Sequence, residues 1–373
     1  MSGVCVLWVE KTHKEHIPLT SPAKAYTIEA MAEFFKKRWK LVLNIVTVLA
    51  LGAVVYASRH DVLATIDNLG KVNTWALLLM IPIQLLNYHA QTRMYQDMFG
   101  VVGNKLEYKD LYKLSLELNF VNHVFPSGGA AGISYFNIRL KNADLTASKA
   151  TLVHIMKLVL MFVSYEILLI AGMFSLAAMG RVNNLTILVG ATISTLLLVG
   201  TGLFAYIVGS QARINSFFLS VTKGLNKIIQ LVRPRHPETI NLDKARDVFE
   251  DFHHNYKLLR SSLPKLKAAF WYSLLAIFTE ILSVYVVFIA FGHIINVGAV
   301  ILAYGVANFA GLVSVLPGGV GVYEFLMAAV MATAGVPAAL SVPVIVMYRV
   351  INTIIQIPPG YYLYQKHLAS RRG

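Results

Sequence analysis

Six ionisable side chains lie within segments of this chain that are otherwise apolar: Glu117, Lys157, Glu166, Glu280, Glu324 and Arg349. An isolated charge in hydrocarbon is costly, so such residues pair with one another or line the path of a charged substrate. Lys157 and Arg349 are the two basic members, and we predict that they neutralise an anionic group. Glu324 is the expected partner of Arg349, or a contact for an amine on the substrate.

A proline–glycine motif precedes each of these two cations. The first motif is Phe125-Pro126-Ser127-Gly128-Gly129, and the second is Leu316-Pro317-Gly318-Gly319-Val320-Gly321. Proline removes an amide donor and glycine loosens a helix, so a helix should break at each motif. The second half of a broken helix begins with free amides and a positive dipole end, which can bind a lipid phosphate. Alternatively, the glycines only permit close helix packing.

The predicted substrate-binding residues come from these motifs and from the helices after them: Ser127, Gly128, Gly129, Lys157, Gly318, Gly319, Gly321, Tyr323, Glu324 and Arg349. No catalytic residue, metal ligand or cofactor is predicted. The sequence contains no Walker A motif, dinucleotide GxGxxG, HExxH or nucleophile elbow, and its histidines show no zinc-type spacing. These absences count against an enzyme without deciding the matter.

The composition identifies the class of protein that must position these residues. Hydrophobic residues make up 56% of the 373 positions and charged residues only 14%, with a mean hydropathy of +0.60. A soluble domain carries about 25% charged residues, so the composition excludes an ordinary soluble enzyme. We attribute the net charge of +14 to cytoplasmic loops of a membrane protein rather than to nucleic-acid binding.

The chain offers six segments that could each cross a bilayer. A spanning helix needs about 20 mostly apolar residues, and the candidates are 39–57, 75–93, 151–179, 186–210, 268–291 and 338–361. The two motifs interrupt two further apolar stretches, 111–140 and 297–335. We predict an all-α polytopic membrane protein with about six full transmembrane helices plus two Pro-Gly-Gly broken re-entrant hairpins. The limbs of the second hairpin could instead cross fully.

Loop charges predict how these helices are oriented. The proposed external loops hold only Arg59, Lys71 and Arg181, whereas basic residues crowd the segments 1–38, 94–113, 139–149, 211–267 and 362–373. Cytoplasmic loops are enriched in Lys and Arg, so both termini should be cytoplasmic, in a multi-pass protein of the cell (plasma or inner) membrane. The expected division is a cytoplasmic segment 1–38, a transmembrane domain 39–361 and a cytoplasmic tail 362–373.

The long loop 211–267 has the pattern of two amphipathic helices. Apolar residues recur at helical spacing beside Lys223 and Lys227, which suits a helix lying against anionic headgroups. The loop could also dock a membrane or cytosolic protein of lipid synthesis. The sequence leaves open whether the chain forms a homo-oligomer.

The two hairpins predict an inverted repeat. With this topology they enter the membrane from opposite faces, and each is followed by a long helix with one cation. Lys157 lies 31 positions after Pro126, and Arg349 lies 32 positions after Pro317. Broken segments at corresponding places in two halves are typical of transporters with a midplane site. Coincidence among glycine-rich membrane segments is the alternative.

With Tyr323 and Glu324 following the second motif, the chain resembles the lysylphosphatidylglycerol synthase transmembrane region. This group is also known as the flippase-like or UPF0104 membrane family, and the resemblance covers roughly residues 35–365. In the multiple-peptide-resistance members of this family, such a region is implied to flip aminoacylated phosphatidylglycerol. Those members also carry a soluble aminoacyl-transferase domain after it. Because this chain ends at Gly373, we expect a standalone member without that domain.

The resemblance and the predicted site together suggest a lipid translocase. It would bind the phosphate of an anionic phospholipid or polyprenyl-phosphate lipid between the two glycine-broken hairpins. The alternative is a membrane-embedded enzyme, or an accessory subunit, for lipid headgroup modification.

Overall fold

A computed structural model describes residues 59–125, 130–140, 145–180, 182–217, 261–313 and 321–370, with a few isolated positions besides. The chain divides into two compact units, Met1–Leu49 and Ala50–Gly373, and the helices below all belong to the second. Most of the predicted span 39–57, the positions 126–129 and 314–320, and most of the loop 211–267 lie outside the described residues.

The described residues form helices and no strands. In the first part of the chain these are α1 (Arg59–Leu69), α2 (Thr74–Leu78), α3 (Met80–Val101), α4 (Tyr108–Val124), α5 (Ala130–Leu140), α6 (Ala147–Ala178) and α7 (Asn184–Val208). After the long loop come a short 3-10 turn (Leu263–Leu266), α8 (Lys267–Ala290), α9 (Val297–Val313), α10 (Val322–Thr333) and α11 (Ala338–Ser370).

Four helices are long and apolar enough to cross a membrane: Ser148–Ala178, Asn184–Ile207, Pro264–Ala290 and Ala338–Ala369. They coincide with four of the six predicted spans, which confirms an all-helical, multi-pass membrane protein. The predicted span 75–93 falls on α2 and α3, which are not among the four. Buried Gln84, Asn87 and Thr92 give α3 a polar character. The count of six spans plus two re-entrant hairpins stays a prediction.

Local sequence explains where several helices begin. The side chains of Asn73, Thr146 and Asn183 each accept a backbone hydrogen bond from the first turn of α2, α6 and α7 respectively. Such capping satisfies amide donors that have no partner within the helix. These helix starts are therefore determined by residues adjacent to them in the chain.

The predicted helix breaks are present. Helix α4 ends at Val124, before the first motif, and α5 begins at Ala130 after it. Helix α10 begins at Val322, directly after Gly321, whose φ of +87° is not helical, so a break also precedes α10; α9 is described as far as Val313. Helices α9 and α10 are apolar but too short to be membrane-length candidates. Whether either hairpin is re-entrant stays a prediction.

Helices α3 and α8 form an antiparallel pair in the interior. The Gln84 amide donates to the Ser283 hydroxyl at 3.1 Å, and the Asn87 amide donates to the Thr279 hydroxyl at 2.9 Å. Moving forward along α3 therefore means moving backward along α8. All four side chains are buried, and their hydrogen bonds satisfy polar groups that would be costly in an apolar interior.

Glycines allow two other close helix crossings. A Cβ atom on Gly360 of α11 would lie 2.6 Å from the Cβ of Phe120 on α4. A Cβ on Gly172 of α6 would lie 3.2 Å from the Cα of Gly298 on α9. Small residues let the backbones of membrane helices approach this closely, so α4 packs on α11 and α6 packs on α9.

Candidate functional site

Arg349 and Glu324 form the ion pair that the sequence predicted. Arg349 lies on α11 and donates to one carboxylate oxygen of Glu324 on α10; their side chains are only 17% and 14% exposed. The other carboxylate oxygen accepts the Gly321 amide at 2.7 Å. Glu324 therefore caps α10 and neutralises Arg349 at the same time. Gly321 itself has a φ of +87°, a left-handed conformation that glycine adopts without strain.

Tyr323 and the first hairpin also approach Arg349. The guanidinium lies 4.8 Å from the centroid of the Tyr323 ring, a cation–π distance. His123, near the end of α4, is close enough to interact electrostatically with Arg349. Arg349 thus contacts Tyr323 and Glu324 of α10 directly and lies within electrostatic range of His123 on α4.

Lys157 has a different environment from Arg349. Its ammonium donates to the Gln91 side-chain oxygen at 2.8 Å and lies 5.0 Å from the centroid of the Tyr95 ring. Gln91 in turn donates to Asn87 at 2.6 Å. These partners are all neutral, and among the described residues no carboxylate lies within ion-pair distance of Lys157. The positive charge of Lys157 is therefore not directly compensated.

Glu280, on α8, is the acid that interacts with Lys157 through space. Its carboxylate accepts the Tyr348 hydroxyl at 3.2 Å, and Gln84 is a second hydrogen-bonding neighbour. Tyr88, Tyr304 and Tyr323 also lie within electrostatic range. Glu280 was absent from the predicted site because α8 contains no motif, although it belongs to the few charges in apolar segments.

A chain of buried amides extends this polar interior. The Asn119 amide donates to the Tyr88 hydroxyl at 2.7 Å and to the Gln356 oxygen at 3.0 Å. Gln356 donates to Gln84 at 3.1 Å and to Asn352 at 2.9 Å. These contacts join α3, α4 and α11 within the bundle. Sequence reasoning missed them because it considered only charges and glycines, although uncharged amides in apolar helices were a usable signal.

The acid of the first hairpin is satisfied within that hairpin. Glu117 on α4 is buried, with its side chain 2% exposed, and accepts from Arg139 at 3.0 Å and from Tyr135 at 2.9 Å. All three groups therefore hold α4 against α5. This arrangement favours a structural role for Glu117 rather than a contact with substrate.

The structure thus brings part of the predicted site together. One cluster of contacts joins four of the predicted residues: Gly321, Tyr323, Glu324 and Arg349. Lys157 belongs to the same polar interior, because it interacts with Glu280, which is hydrogen-bonded to Tyr348. The Gly321 amide is occupied by Glu324, so another donor would have to bind an anion there. Ser127, Gly128, Gly129, Gly318 and Gly319 lie outside the described residues. Within the described part of the chain, no cluster of acids, histidines and cysteines has the arrangement of a metal site.

Comparison with known proteins gives a consistent family. The family described as "Lysylphosphatidylglycerol synthase TM region" matches residues 41–360. A UPF0104 membrane protein of Methanothermobacter thermautotrophicus is 38% identical over 92 residues, which cover 25% of this chain and 28% of that protein. A second UPF0104 membrane protein, from Methanocaldococcus jannaschii, is 20% identical over 325 residues, or 86% of this chain and 92% of the relative. The chain belongs to the lysylphosphatidylglycerol synthase transmembrane region family.

Proposed function

We propose that the protein is a lipid translocase that binds the phosphate of an anionic lipid in the interior of its helical bundle. The observation that carries this proposal is Lys157, a partly buried cation whose direct partners are all neutral. A buried charge without an opposite charge is unfavourable, so an anionic headgroup beside Lys157 would be stabilised. An anionic phospholipid and a polyprenyl-phosphate lipid share the phosphate that this chemistry recognises.

An inverted repeat supports transport rather than simple binding. Helices α3, α4, α5 and α6 contain 22, 17, 11 and 32 residues, and α8, α9, α10 and α11 contain 24, 17, 12 and 33. The first helices of the two sets, α3 and α8, run antiparallel, as inverted halves require. Such repeats let one half move against the other around a central site.

In our proposal the two halves are the sets α3–α6 and α8–α11, and each half packs on the other. Helix α4 of the first set packs on α11 of the second, while α9 of the second packs on α6 of the first. Each hairpin is thereby joined to the cation-bearing helix of the other half. In our proposal the hairpin of each half thus lies beside the cation-bearing helix of the other, so a movement of one half against the other would change the site between them.

Three pairs of residues are separated by similar numbers of positions in the two sets of helices. Tyr135 and Tyr323 are separated by 188 positions, Gln91 and Glu280 by 189, and Lys157 and Arg349 by 192. Lys157 and Arg349 are therefore counterparts in our proposal, and the phosphate would lie between them. The positive charge of Lys157, which has no direct counter-charge, would bind the phosphate. Arg349 would keep its ion pair with Glu324 and would face the anion as the second cation.

We further propose that the protein lies in the cell membrane with both termini in the cytoplasm, on the basis of its loop charges. The mostly undescribed loop 211–267 would lie on the cytoplasmic surface and could bind anionic headgroups or a lipid-synthesis protein. Neither role is needed for the interior site to work.

The test is a flipping assay with purified protein in vesicles of phosphatidylcholine containing a fluorescent phosphatidylglycerol. Wild-type protein should move the probe between leaflets, and Lys157→Gln should weaken its binding by about ten- to a hundredfold because a charge-assisted hydrogen bond is lost. A fluorescent polyprenyl phosphate, run in parallel, distinguishes the two lipid classes. Unchanged flipping by a folded Lys157→Gln variant would refute the site.

The same preparation also tests the alternative of headgroup chemistry. Vesicles supplied with a soluble aminoacyl donor can be analysed for modified lipid by mass spectrometry. Turnover of lipid without movement between leaflets would favour a membrane enzyme over a translocase.

A further inference from the structure

Among the four charges Lys157, Glu280, Glu324 and Arg349, two form a direct ion pair and two do not. Arg349 and Glu324 form a direct ion pair. Lys157 and Glu280 interact only at longer range, and each is hydrogen-bonded by neutral groups: Gln91 for Lys157 and Tyr348 for Glu280. With both carboxylates ionised, the formal charge of the four side chains is zero. An anionic phosphate arriving beside Lys157 would then leave the interior with a net negative charge.

We infer that Glu280 takes up a proton when the anionic lipid binds, so that the protein moves one proton together with each lipid monoanion. This inference rests on the proposed function. The proton comes from water on the loading side and binds one carboxylate oxygen of Glu280. It returns to water on the far side as the lipid leaves and the carboxylate ionises again. No covalent bond to the lipid forms or breaks.

The surroundings of Glu280 accommodate both protonation states. The titratable groups facing it are Lys157 on α6 and four tyrosines: Tyr88 on α3, Tyr304 on α9, Tyr323 on α10 and Tyr348 on α11. A tyrosine hydroxyl donates to a carboxylate and can equally accept from a carboxylic acid. Tyr348 can therefore keep its hydrogen bond whether or not Glu280 carries a proton.

The position of Glu280 within the fold also suits a coupling residue. It lies near the middle of α8, one of the four membrane-length helices, so neither membrane surface is much nearer than the other. Helix α8 is also half of the antiparallel pair between the two sets of helices. A group at this place can exchange its proton with opposite sides as the halves move.

The counterpart of Glu280 supplies a well-matched test variant. Gln91 occupies the corresponding position on α3, where its amide packs in the same interior and contacts Lys157. A glutamine at position 280 has nearly the same shape as glutamate and can still accept from Tyr348, but it cannot bind and release a proton. Glu280→Gln should therefore fold and should separate lipid movement from proton movement.

The experiment uses the full chain in phosphatidylcholine vesicles with fluorescent phosphatidylglycerol and an internal pH dye, with the membrane potential clamped by valinomycin and potassium. A gradient of one pH unit should drive up to about a tenfold difference in probe between the leaflets. Probe movement should acidify or alkalinise the lumen accordingly. Because a monoanion and a proton move together, changing the clamped potential should leave the distribution unchanged.

Two variants assign the effect to Glu280. Glu280→Gln should abolish both the leaflet asymmetry and the luminal pH change. The control Glu166→Gln removes another membrane carboxylate, on α6 and outside the cluster, and should behave as wild type. Loss of coupling in the control, or its retention in Glu280→Gln, would overturn the assignment.

The wild-type protein alone provides a measurement that does not depend on any variant folding. Flipping that is fast but produces no asymmetry and no luminal pH change would overturn proton coupling and leave the proposed translocase intact. Absence of flipping with both lipid probes would instead refute the proposed function and the coupling with it.

Discussion

Arg349 and Lys157 carry the same charge, but their neighbours differ. Arg349 is tied to Glu324, whose carboxylate also caps α10 at Gly321. Among the described residues, the direct partners of Lys157 are the Gln91 amide and the Tyr95 ring. The former contact set is suited to holding the second hairpin in place. The neutral partners of Lys157 leave its positive charge without a direct counter-charge, so an anion could bind there, as our proposal requires.

We expect Glu324→Gln to destabilise the protein by about 2 kcal/mol, because it leaves Arg349 partly buried without its counter-charge. Equilibrium unfolding in detergent micelles measures this change. Arg349→Gln and the double variant complete a cycle, and the coupling between the two changes should be about 1 to 2 kcal/mol. Additive effects in the double variant would contradict an energetic pairing.

Gln91→Glu should weaken lipid binding by placing a carboxylate directly on Lys157. The new ion pair would compensate the charge that our proposal reserves for the phosphate, so we expect about a tenfold loss of affinity for phosphatidylglycerol. Binding can be followed by native mass spectrometry with added lipid. Gln91→Met is the control that removes the amide without adding charge, and it should bind better than the glutamate variant.

At the scale of helices, the close crossings through glycine hold the two sets of helices together. Gly172 of α6 meets Gly298 of α9, and Gly360 of α11 meets α4. The Tyr165 hydroxyl reinforces the first crossing by donating to the Ile301 carbonyl at 2.5 Å. Each crossing leaves no room for a larger side chain, and the packing of one half on the other depends on it.

Gly172→Leu should therefore lower the thermal unfolding temperature by several degrees, because the side chain would force α6 and α9 apart at a cost of about 1 to 3 kcal/mol. Gly200→Leu on α7 is the matched control, since open space surrounds a side chain at that position. Thermal unfolding in detergent compares the two. Equal effects would mean that the crossing contributes nothing specific.

At the scale of the whole molecule, the loop charges predict that the N-terminus is cytoplasmic. Cys5 is the single cysteine of the chain, so it reports the location of the N-terminus without engineering. A membrane-impermeant maleimide should label Cys5 in inside-out vesicles but not in intact cells. Cys5→Ser provides the background, and Lys71→Cys in that variant should show the opposite pattern. Labelling of Cys5 from outside would reverse the proposed orientation.

Part of the fold follows directly from the sequence. Four membrane-length helices appear where long apolar runs predict them, because a lipid-facing backbone must satisfy its hydrogen bonds internally. The breaks after Val124 and before Val322 follow from proline and glycine, whose effects are local. The polar character of α3 was not anticipated, because Gln84 and Asn87 find partners on α8 and α11 only when the helices pack together.

The sequence by itself determined the membrane class, the helix breaks, the two cations and the pairing of Arg349 with Glu324. Composition and local chemistry are enough for these, because hydropathy, proline geometry and charge act over a few residues. Only the tertiary structure decided that Lys157 has neutral direct partners and that Glu280 interacts with it. Those facts depend on contacts between residues 62 or more positions apart in the sequence, which no local pattern encodes.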